Sequence, residues 1–386
     1  MKLDTRAIRY LTSEDWRVLT AAEMGSKNHE VVPTPLISQI SGLRGASGVN
    51  RSISNLAKVG LIAKVKNAKY DGYRLTYGGL DYLALNTFIK RKSVYSIGNQ
   101  VGVGKESDIY VVADETGTQR ILKIHRLGRI SFRTVKANRD YLRNRNAASW
   151  MYMSRLAAMK EFAFMKVLKD NGFPVPTPID QARHCVLMEL IDSYPLRQVT
   201  SIADPPRLYA DLMALILKFA AHGLIHGDFN EFNILVNEDT QEPVVIDFPQ
   251  MVSIDHANAK EYFDRDVQCI KTFFKRKFGF ESEEEGPSWG DVKRTGKLDV
   301  EVEASGFSKK QAKELDKYLQ TISRLDEQEG EGDHGSSANE DDEDDEEEED
   351  QGHADNIQDS NVGESDDEMN ENKAGSSLAP RSGAIV

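Results

Sequence analysis

The chain has 386 residues, a net charge of −13 and two cysteines, Cys185 and Cys269. That length allows two or three domains with a sizeable core, and two cysteines exclude a disulfide-stapled fold. Because no apolar run approaches the ~20 residues of a membrane span, we expect no membrane contact, and we place the protein in a reducing compartment.

The charge is distributed very unevenly along the chain. Residues 326–386 hold 23 Asp/Glu and 2 Lys/Arg, whereas residues 1–160 hold 27 Lys/Arg and 12 Asp/Glu. A basic N-terminal half predicts a nucleic-acid partner. The segment 326–386 has too little apolar surface to offset the entropy of ordering, so we predict a disordered acidic tail.

Residues 1–78 have the pattern of a winged helix, which consists of three helices and a basic hairpin. Thr12 and Asp15 form a candidate capping box for the first helix, and the third helix is predicted over residues 49–59. A linker helix over residues 79–92 follows. The candidate nucleic-acid contacts lie on the third helix and in the hairpin: Arg51, Lys58 and Lys69. A merely solvated charged face is the alternative.

Two strand-like segments then flank a glycine-rich turn, whose backbone N–H groups could approach phosphates closely. The turn contains Gly102, Gly104, Lys105 and Ser107, but it lacks the spacing of a Walker A loop. A lysine in an apolar strand, Lys123, needs a partner if it is buried, and Glu161 in the middle of the next long helix is the natural candidate. We predict a mobile basic insertion over residues 126–146 between them.

The segment IHGDFNEFNILVNEDTQEPVVIDFPQ, residues 225–250, contains the main candidates for chemistry. Asp228 precedes Asn233 by five residues, and two short strands joined by a turn would bring Asn233 and Asp247 to one edge. Two oxygen ligands can hold a hard cation against nucleotide phosphates, and a nearby carboxylate can orient the attacking group. The spacing therefore indicates phosphoryl transfer, whereas the bland alternative is a hairpin with polar ends.

The last helix is predicted over residues 308–325. Its apolar residues fall on one side, namely Leu315, Leu319, Ile322 and Leu325. This pattern is typical of an amphipathic helix that docks on the protein's own surface. The other interpretation is a nuclear-export signal, which would make a nuclear export receptor a partner.

The segments GVGKESDIY, IHGDFNEFN and IDFPQ resemble those of the RIO family of atypical kinases, in the subfamily that carries an N-terminal winged helix. The resemblance covers residues 1–280 and implies an α+β, bilobal protein-kinase-like fold. The small lobe would span residues 93–191 and the large lobe residues 192–280, followed by an extension over residues 281–325.

The resemblance also implies ATP and Mg²⁺ as cofactors and a role for each motif residue. Asp228 would be the catalytic base, and Asn233 and Asp247 would bind Mg²⁺. The residues expected to bind ATP are Lys123 paired with Glu161, the turn residues Gly102, Gly104, Lys105 and Ser107, and the hinge residues Met188, Glu189 and Ile191.

Departures from ordinary protein kinases shape the expected reaction. Gly227 replaces the arginine of the His-Arg-Asp motif, Pro249 replaces the glycine of Asp-Phe-Gly, and no Ala-Pro-Glu follows. With little room for a peptide-docking segment, we expect an ATPase switch more than a signalling serine/threonine kinase. Asp247 is a further catalytic candidate, because carboxylates accept phosphoryl groups covalently in other ATPases.

The family resemblance implies a cytoplasmic role in maturation of the small ribosomal subunit precursor, with contacts to rRNA and ribosomal proteins. We expect a monomer that shuttles between nucleus and cytoplasm, and ATP hydrolysis that drives release from the particle. Two alternatives remain open: a small-molecule phosphotransferase of the aminoglycoside or choline kinase type, and a non-catalytic assembly scaffold that binds nucleotide.

Overall fold

The computed structural model describes residues 3–65, 72–127, 129, 147–237, 239–305 and 310–317. The N-terminal part is a winged helix, as predicted. After a short 3₁₀ helix over Arg6–Tyr10 come α1 (Ser13–Ser26), β1 (Val32–Pro33), α2 (Thr34–Ser41), α3 (Ala46–Lys58), β2 (Ile62–Lys64) and β3 (Gly72–Leu75), with the strands in the order β1-β3-β2. The predicted capping box at Thr12 and Asp15 is formed, and it starts α1.

The linker helix α4 spans Tyr77–Lys90, two residues earlier than predicted at each end. It begins at Tyr77 because the Thr76 side chain caps the Gly79 amide. The helix is buried along most of its length, and its core is continuous with one face of the small-lobe sheet. The winged helix is therefore packed onto the small lobe through α4.

The small lobe is a five-stranded antiparallel sheet with one long helix. The strands are β4 (Ser96–Val103), β5 (Ser107–Ala113), β6 (Gln119–His125), β7 (Pro178–Ala182) and β8 (Cys185–Glu189), in the order β4-β5-β6-β8-β7. Helix α5 spans Ala147–Asp170. Because side chains alternate along a strand, β8 gives Cys185 and Leu187 to the core shared with the winged helix. It gives Val186 and Met188 to the core shared with the large lobe.

The large lobe contains two long helices and several short strands. These are β9 (Tyr194–Pro195), a 3₁₀ turn (Leu196–Gln198), α6 (Pro205–Ala221), β10 (Leu224–Ile225), β11 (Ile234–Val236), β12 (Pro243–Val245), β13 (Val252–Ser253) and α7 (Ala259–Phe278). β11 pairs antiparallel with β12 and with β9. A 3₁₀ turn (Trp289–Asp291), α8 (Leu298–Ala304) and a helical segment over 310–317 complete the described chain. None of the described helices is long and apolar enough to cross a membrane.

The start predicted for the mobile insertion, residue 126, lies too early in the chain, because Arg126 and Leu127 are packed into the fold. Arg126 is only 3% exposed and Leu127 is fully buried. Arg126 is fixed because its guanidinium pairs with Asp81 and Asp108, which lie far from it in sequence. Between residues 128 and 149 the structure describes the side chain of Arg129 alone.

The predicted C-terminal helix is observed only where the structure describes it. Residues 310–317 are helical, and Leu315 is fully buried against the main core. This end of the segment therefore docks on the protein's own surface. The predicted face residues Leu319, Ile322 and Leu325 lie outside the described residues, as does the predicted acidic tail 326–386.

Candidate active site

The cleft between the lobes is organised around Lys123. Along β6 the side chains alternate between the two faces of the sheet, so Leu122 and Ile124 enter the core while Lys123 and His125 face the cleft. Lys123 Nζ lies 2.7 Å from Glu161 Oε1 and 2.9 Å from Asp247 Oδ1. The predicted pair with Glu161 is thus present. The contact with Asp247 joins both to the metal-binding candidates.

The ion pair is buried and fully charged. Although burial opposes the charge of each partner, Asp247 and Glu161 raise the pKa of Lys123. Burial likewise opposes the charge of Glu161, but Lys123 and a hydrogen bond from His125 lower its pKa to about 2. The ammonium is therefore fixed and charged, as the recognition of nucleotide phosphates requires.

His125 was missed by the sequence reasoning. Its Nε2 lies 2.7 Å from Glu161 Oε2, and both side chains are buried. Each oxygen of the Glu161 carboxylate therefore has its own partner, which fixes the orientation of the carboxylate. The sequence could have revealed it, because alternate residues of a strand share one face and His125 lies two residues after Lys123.

The catalytic-base candidate Asp228 sits in a tight hydrogen-bonded loop. Its carboxylate accepts from Asn230 Nδ2 at 2.7 Å and from Asn233 Nδ2 at 2.9 Å. Burial, together with the charge of Asp247, raises the pKa of Asp228 to about 7. A carboxylate with a pKa near neutrality is well matched to accept a proton in the reaction.

The backbone of this loop is held from α7 by Asp266, another residue that the sequence reasoning missed. Its carboxylate accepts from the Gly227 amide at 2.9 Å and from the Phe229 amide at 3.0 Å. Burial raises the pKa of Asp266 to about 6, and the side chain is 2% exposed. An acid on the apolar face of a helix, between Phe263 and Val267, was the signal that could have revealed it.

Asn233 and Asp247 lie at the same end of the β11–β12 hairpin, as predicted. Ile246 N donates to Asn233 O at 2.9 Å, which fastens the two strand ends together. Asp247 has a φ of 70°, a left-handed conformation that is uncommon for a non-glycine residue and typical of functional sites.

These two side chains offer oxygen ligands of the kind that Mg²⁺ prefers. Among the described residues no group of three or more His, Cys, Asp or Glu side chains could enclose a metal. One carboxylate and one amide suit Mg²⁺, which would take nucleotide phosphates and water as its other ligands.

The glycine-rich turn joins β4 to β5 above the cleft. Gly102 pairs with Ile109 in the ladder, and Gly104 N donates to Ser107 O at 2.7 Å to close the turn. Gly104 and Lys105 are exposed, and Ser107 is half-buried. Because Gly102 and Gly104 carry no side chains, phosphates could approach the backbone of the turn closely.

The hinge candidates lie at the end of β8. Met188 is buried, while Glu189 is exposed and Ile191 is half-buried. The Glu189 carboxylate accepts from the Thr177 amide at 3.0 Å, so its side chain braces the strand. The prediction that backbone groups of this segment bind the purine edge stays a prediction.

Two of the nucleic-acid candidates, Arg51 and Lys58, lie on the winged helix. Arg51 and Lys58 are exposed on α3, whose buried face is formed by Val49, Ile53 and Leu56. Lys69 lies outside the described residues.

Comparisons with known proteins match this architecture. The RIO domain model matches residues 108–286, and the model of the Rio2 N-terminal domain matches residues 8–91. Serine/threonine-protein kinase rio2 of Schizosaccharomyces pombe is 61% identical over 323 residues, which cover 83% of this chain and 93% of the relative. Serine/threonine-protein kinase RIO2 of Saccharomyces cerevisiae is 55% identical over 333 residues, covering 80% of this chain and 78% of the relative.

A solved structure is similar over the same region. The crystal structure of the Rio2 kinase–ADP/Mg²⁺–phosphoaspartate complex from Chaetomium thermophilum superposes with a TM-score of 0.77 at 64% sequence identity. The match covers 84% of this chain and 99% of that chain.

Proposed function

The chain belongs to the Rio2 kinases of the RIO family, and from this we propose that it runs an ATP hydrolysis cycle through a phosphorylated aspartate, Asp247. It is a serine/threonine protein kinase that uses ATP and Mg²⁺. Family membership argues against the small-molecule phosphotransferase. The intact set of Lys123, Asp228, Asn233 and Asp247 argues against a scaffold without catalysis.

The observation that carries the proposal is the contrast between the two aspartates. Asp228 has a pKa raised to about 7, which suits a group that takes up a proton. The Asp247 carboxylate instead lies 2.9 Å from the Lys123 ammonium, and its backbone has a left-handed φ of 70°. Together these features orient the carboxylate toward the cleft. Asp247 is therefore the better nucleophile and Asp228 the better base.

The cycle has two displacements at phosphorus. First an Asp247 carboxylate oxygen bonds to the γ-phosphorus, the bond to the bridging oxygen breaks, and ADP leaves. Then a water attacks the same phosphorus while Asp228 takes its proton, which releases inorganic phosphate and restores Asp247. Mg²⁺, when bound by Asn233 and Asp247, neutralises charge that develops on the transferred group. The phosphoaspartate in the Rio2 kinase complex from Chaetomium thermophilum supports a phosphorylated aspartate in this cycle.

The short segment after the catalytic hairpin also supports hydrolysis over peptide phosphorylation. Only residues 251–258 separate Gln250 from α7, and part of this segment is the strand β13. β13 pairs with β10, so the segment is tied to the lobe. Such a segment provides little platform for a peptide acceptor.

The biological setting of the proposal is maturation of the small ribosomal subunit precursor in the cytoplasm. The basic N-terminal half and the exposed Arg51 and Lys58 on α3 support an rRNA contact. In this setting the chain acts as a monomer, and phosphoaspartate hydrolysis drives its release from the particle. Passage through the nucleus, with an export receptor as partner, extends the proposal.

The experiment measures covalent labelling and particle release together. With γ-labelled ATP and precursor particles, we expect a hydroxylamine-sensitive label on the wild-type chain. The label should accumulate in Asp228→Ala and be absent in Asp247→Asn. Asp228→Ala should slow hydrolysis by about 10²–10⁴-fold, as expected for a lost general base, and should stay on the particle.

The matched control is Asp264→Ala, which removes an exposed acid of α7. It should label and release like the wild type. Normal release by Asp228→Ala, combined with robust labelling of a ribosomal protein, would favour a conventional kinase. Stimulation of turnover by choline or an aminoglycoside would favour the small-molecule alternative.

A further inference from the structure

A buried ionic cluster connects the linker helix α4 to the small-lobe sheet. Arg126 donates from Nη1 and Nη2 to the two carboxylate oxygens of Asp81 on α4, both at 2.7 Å. Its Nε donates to Asp108 Oδ2 at 3.1 Å. The three side chains are 4%, 3% and 1% exposed, so the cluster is shielded from solvent.

The contacts in this cluster favour the charged forms of Asp81 and Arg126. Although burial opposes the charge of Asp81, a hydrogen bond with His184 at 2.7 Å and the nearby Arg126 lower its pKa. Burial also opposes the charge of Arg126, yet Asp81 and Asp108 raise its pKa. Loss of one partner would leave an uncompensated buried charge, which is strongly destabilising.

Arg129 extends the cluster to the glycine-rich turn. Its Nη2 lies 2.8 Å from each carboxylate oxygen of Asp108, and its Nη1 donates to the Gly104 carbonyl at 2.8 Å. The turn itself has little packing, since Val103, Gly104 and Lys105 are all exposed. A planar guanidinium can hold two acceptors in fixed directions at once, which the point charge of a lysine cannot reproduce.

The geometry points to Arg129 as a positioning residue for the phosphate-binding turn, held from the linker helix through Asp108, Arg126 and Asp81. Arg129 fixes the turn by donating to the Gly104 carbonyl, and Asp108 in turn holds Arg129. Asp108 is held by the Arg126 guanidinium, which also binds Asp81 on α4. A change at Asp81, which touches no part of the turn, is transmitted to the phosphates of ATP through these contacts. The linker helix thereby contributes to nucleotide binding without entering the cleft.

Two variants separate this role from general stabilisation of the domain contact. Arg129→Gln removes the guanidinium that contacts both Gly104 and Asp108. The Arg129 side chain is 26% exposed, so the fold should tolerate the change. Asp81→Asn removes one charge at the far end of the cluster. The matched control is Arg91→Gln, which breaks a 2.6 Å ion pair between the end of α4 and Asp180 on β7, away from the turn.

The experiment measures equilibrium affinity for ADP and for adenosine, and amide exchange at residues 102–105, in the full chain. Arg129→Gln and Asp81→Asn should each weaken ADP binding by about tenfold, consistent with losing a hydrogen bond to a charged group. Both should speed exchange in the turn. Adenosine affinity should not change, because adenosine lacks the phosphates that the turn holds.

Arg129→Lys should behave like Arg129→Gln, and Arg91→Gln should bind ADP like the wild type. The inference is overturned if Arg129→Gln binds ADP normally, if adenosine binding falls as much as ADP binding, or if Arg91→Gln weakens ADP equally. Should Asp81→Asn fail to fold, the Arg129 variants and the Arg91 control still decide the positioning role.

Discussion

Lys123 Nζ bridges Glu161 and Asp247, at 2.7 Å from Oε1 of the former and 2.9 Å from Oδ1 of the latter. One cation therefore links the long helix of the small lobe to the predicted metal-binding edge of the large lobe. Because Glu161 is 1% exposed and Asp247 is 38% exposed at the side chain, the ammonium has one buried partner and one that faces the cleft. The buried partner holds it in place, and the open side can receive phosphate oxygens.

Lys123→Met should lower ATP turnover by at least about 10²-fold, because the ammonium positions the phosphates and balances Asp247. It should also lower the free energy of unfolding by roughly 3 kcal/mol, since the buried Glu161 loses its cationic partner. Turnover assays and chemical denaturation measure the two effects.

Lys160→Met is the control for that substitution. Lys160 is the neighbouring residue on α5, is 2% exposed, and pairs with Asp316 at 3.3 Å. Its loss should reduce stability but spare the KM for ATP. Normal turnover by Lys123→Met would contradict the assignment of the phosphate site.

His125→Leu should weaken catalysis by releasing one oxygen of Glu161. The hydrogen bond at 2.7 Å involves a charged group, and such bonds contribute about 1.5–3 kcal/mol, so we expect turnover to fall by about tenfold or more. His125→Gln keeps a donor and should recover part of the loss. Steady-state kinetics on the two variants check this, and equal activity of His125→Leu and wild type would show that the bond does not orient the carboxylate.

The sequence could place the catalytic loop because its chemistry is local. Asn233 and Asp247 lie at the two ends of one hairpin, and Asp228 lies in the loop just before it. The short strands and the turn were readable from apolar runs and turn residues. The partner of Lys123 was also predictable, since a lysine within an apolar strand requires a buried acid and Glu161 lies on the next long helix.

The rest of the site depends on contacts between distant parts of the chain. Asp266 reaches the loop from α7, and Asp247 reaches Lys123 from the other lobe. Arg126 was assigned to a basic insertion because its neighbours in sequence are basic, and its acidic partners lie on α4 and β5. Composition describes the local chain, whereas burial is decided by packing between elements.

Charge reversal on α3 should weaken RNA binding in a salt-dependent manner. Arg51→Glu and Lys58→Glu each remove an exposed cation, and each phosphate contact that is lost should reduce the salt slope by about one unit. Binding of small-subunit rRNA fragments over a range of salt concentrations measures this slope. The control is Arg6→Glu, which lies in the same domain but outside α3 and should leave the slope nearly unchanged. Unchanged RNA binding by the α3 variants would show that the charged face of α3 is solvated and does not contact RNA.

His226 should make the stability of the catalytic lobe depend on pH in a defined direction. The ring is 2% exposed, its Nδ1 lies 3.3 Å from the Asp228 amide, and its Nε2 lies 3.3 Å from Ile246 O. An amide donates to Nδ1 and a carbonyl accepts from Nε2, so the ring is neutral with its proton on Nε2.

Burial lowers the pKa of His226 from 6.5 to about 4. Because the folded state disfavours the proton, the contribution to stability is complete above pH 6.5 and is lost as the pH falls toward 4. The maximum loss is about 3 kcal/mol, and protonation at Nδ1 would also break the bond to the Asp228 amide. Asp228 and Asp266, whose pKa values are raised, act in the opposite direction, so the test needs a difference between two proteins.

The comparison is between wild type and His226→Gln, which keeps a side-chain donor and acceptor but does not titrate. Because both proteins retain Asp228 and Asp266, subtracting their curves isolates the histidine. Chemical denaturation from pH 7.5 to pH 4 should show wild type losing about 3 kcal/mol relative to the variant, with most of the change between pH 6.5 and pH 4. Parallel curves would mean that the pKa of His226 is the same in the folded and the unfolded chain. That result would contradict the hydrogen bond that the Asp228 amide donates to Nδ1.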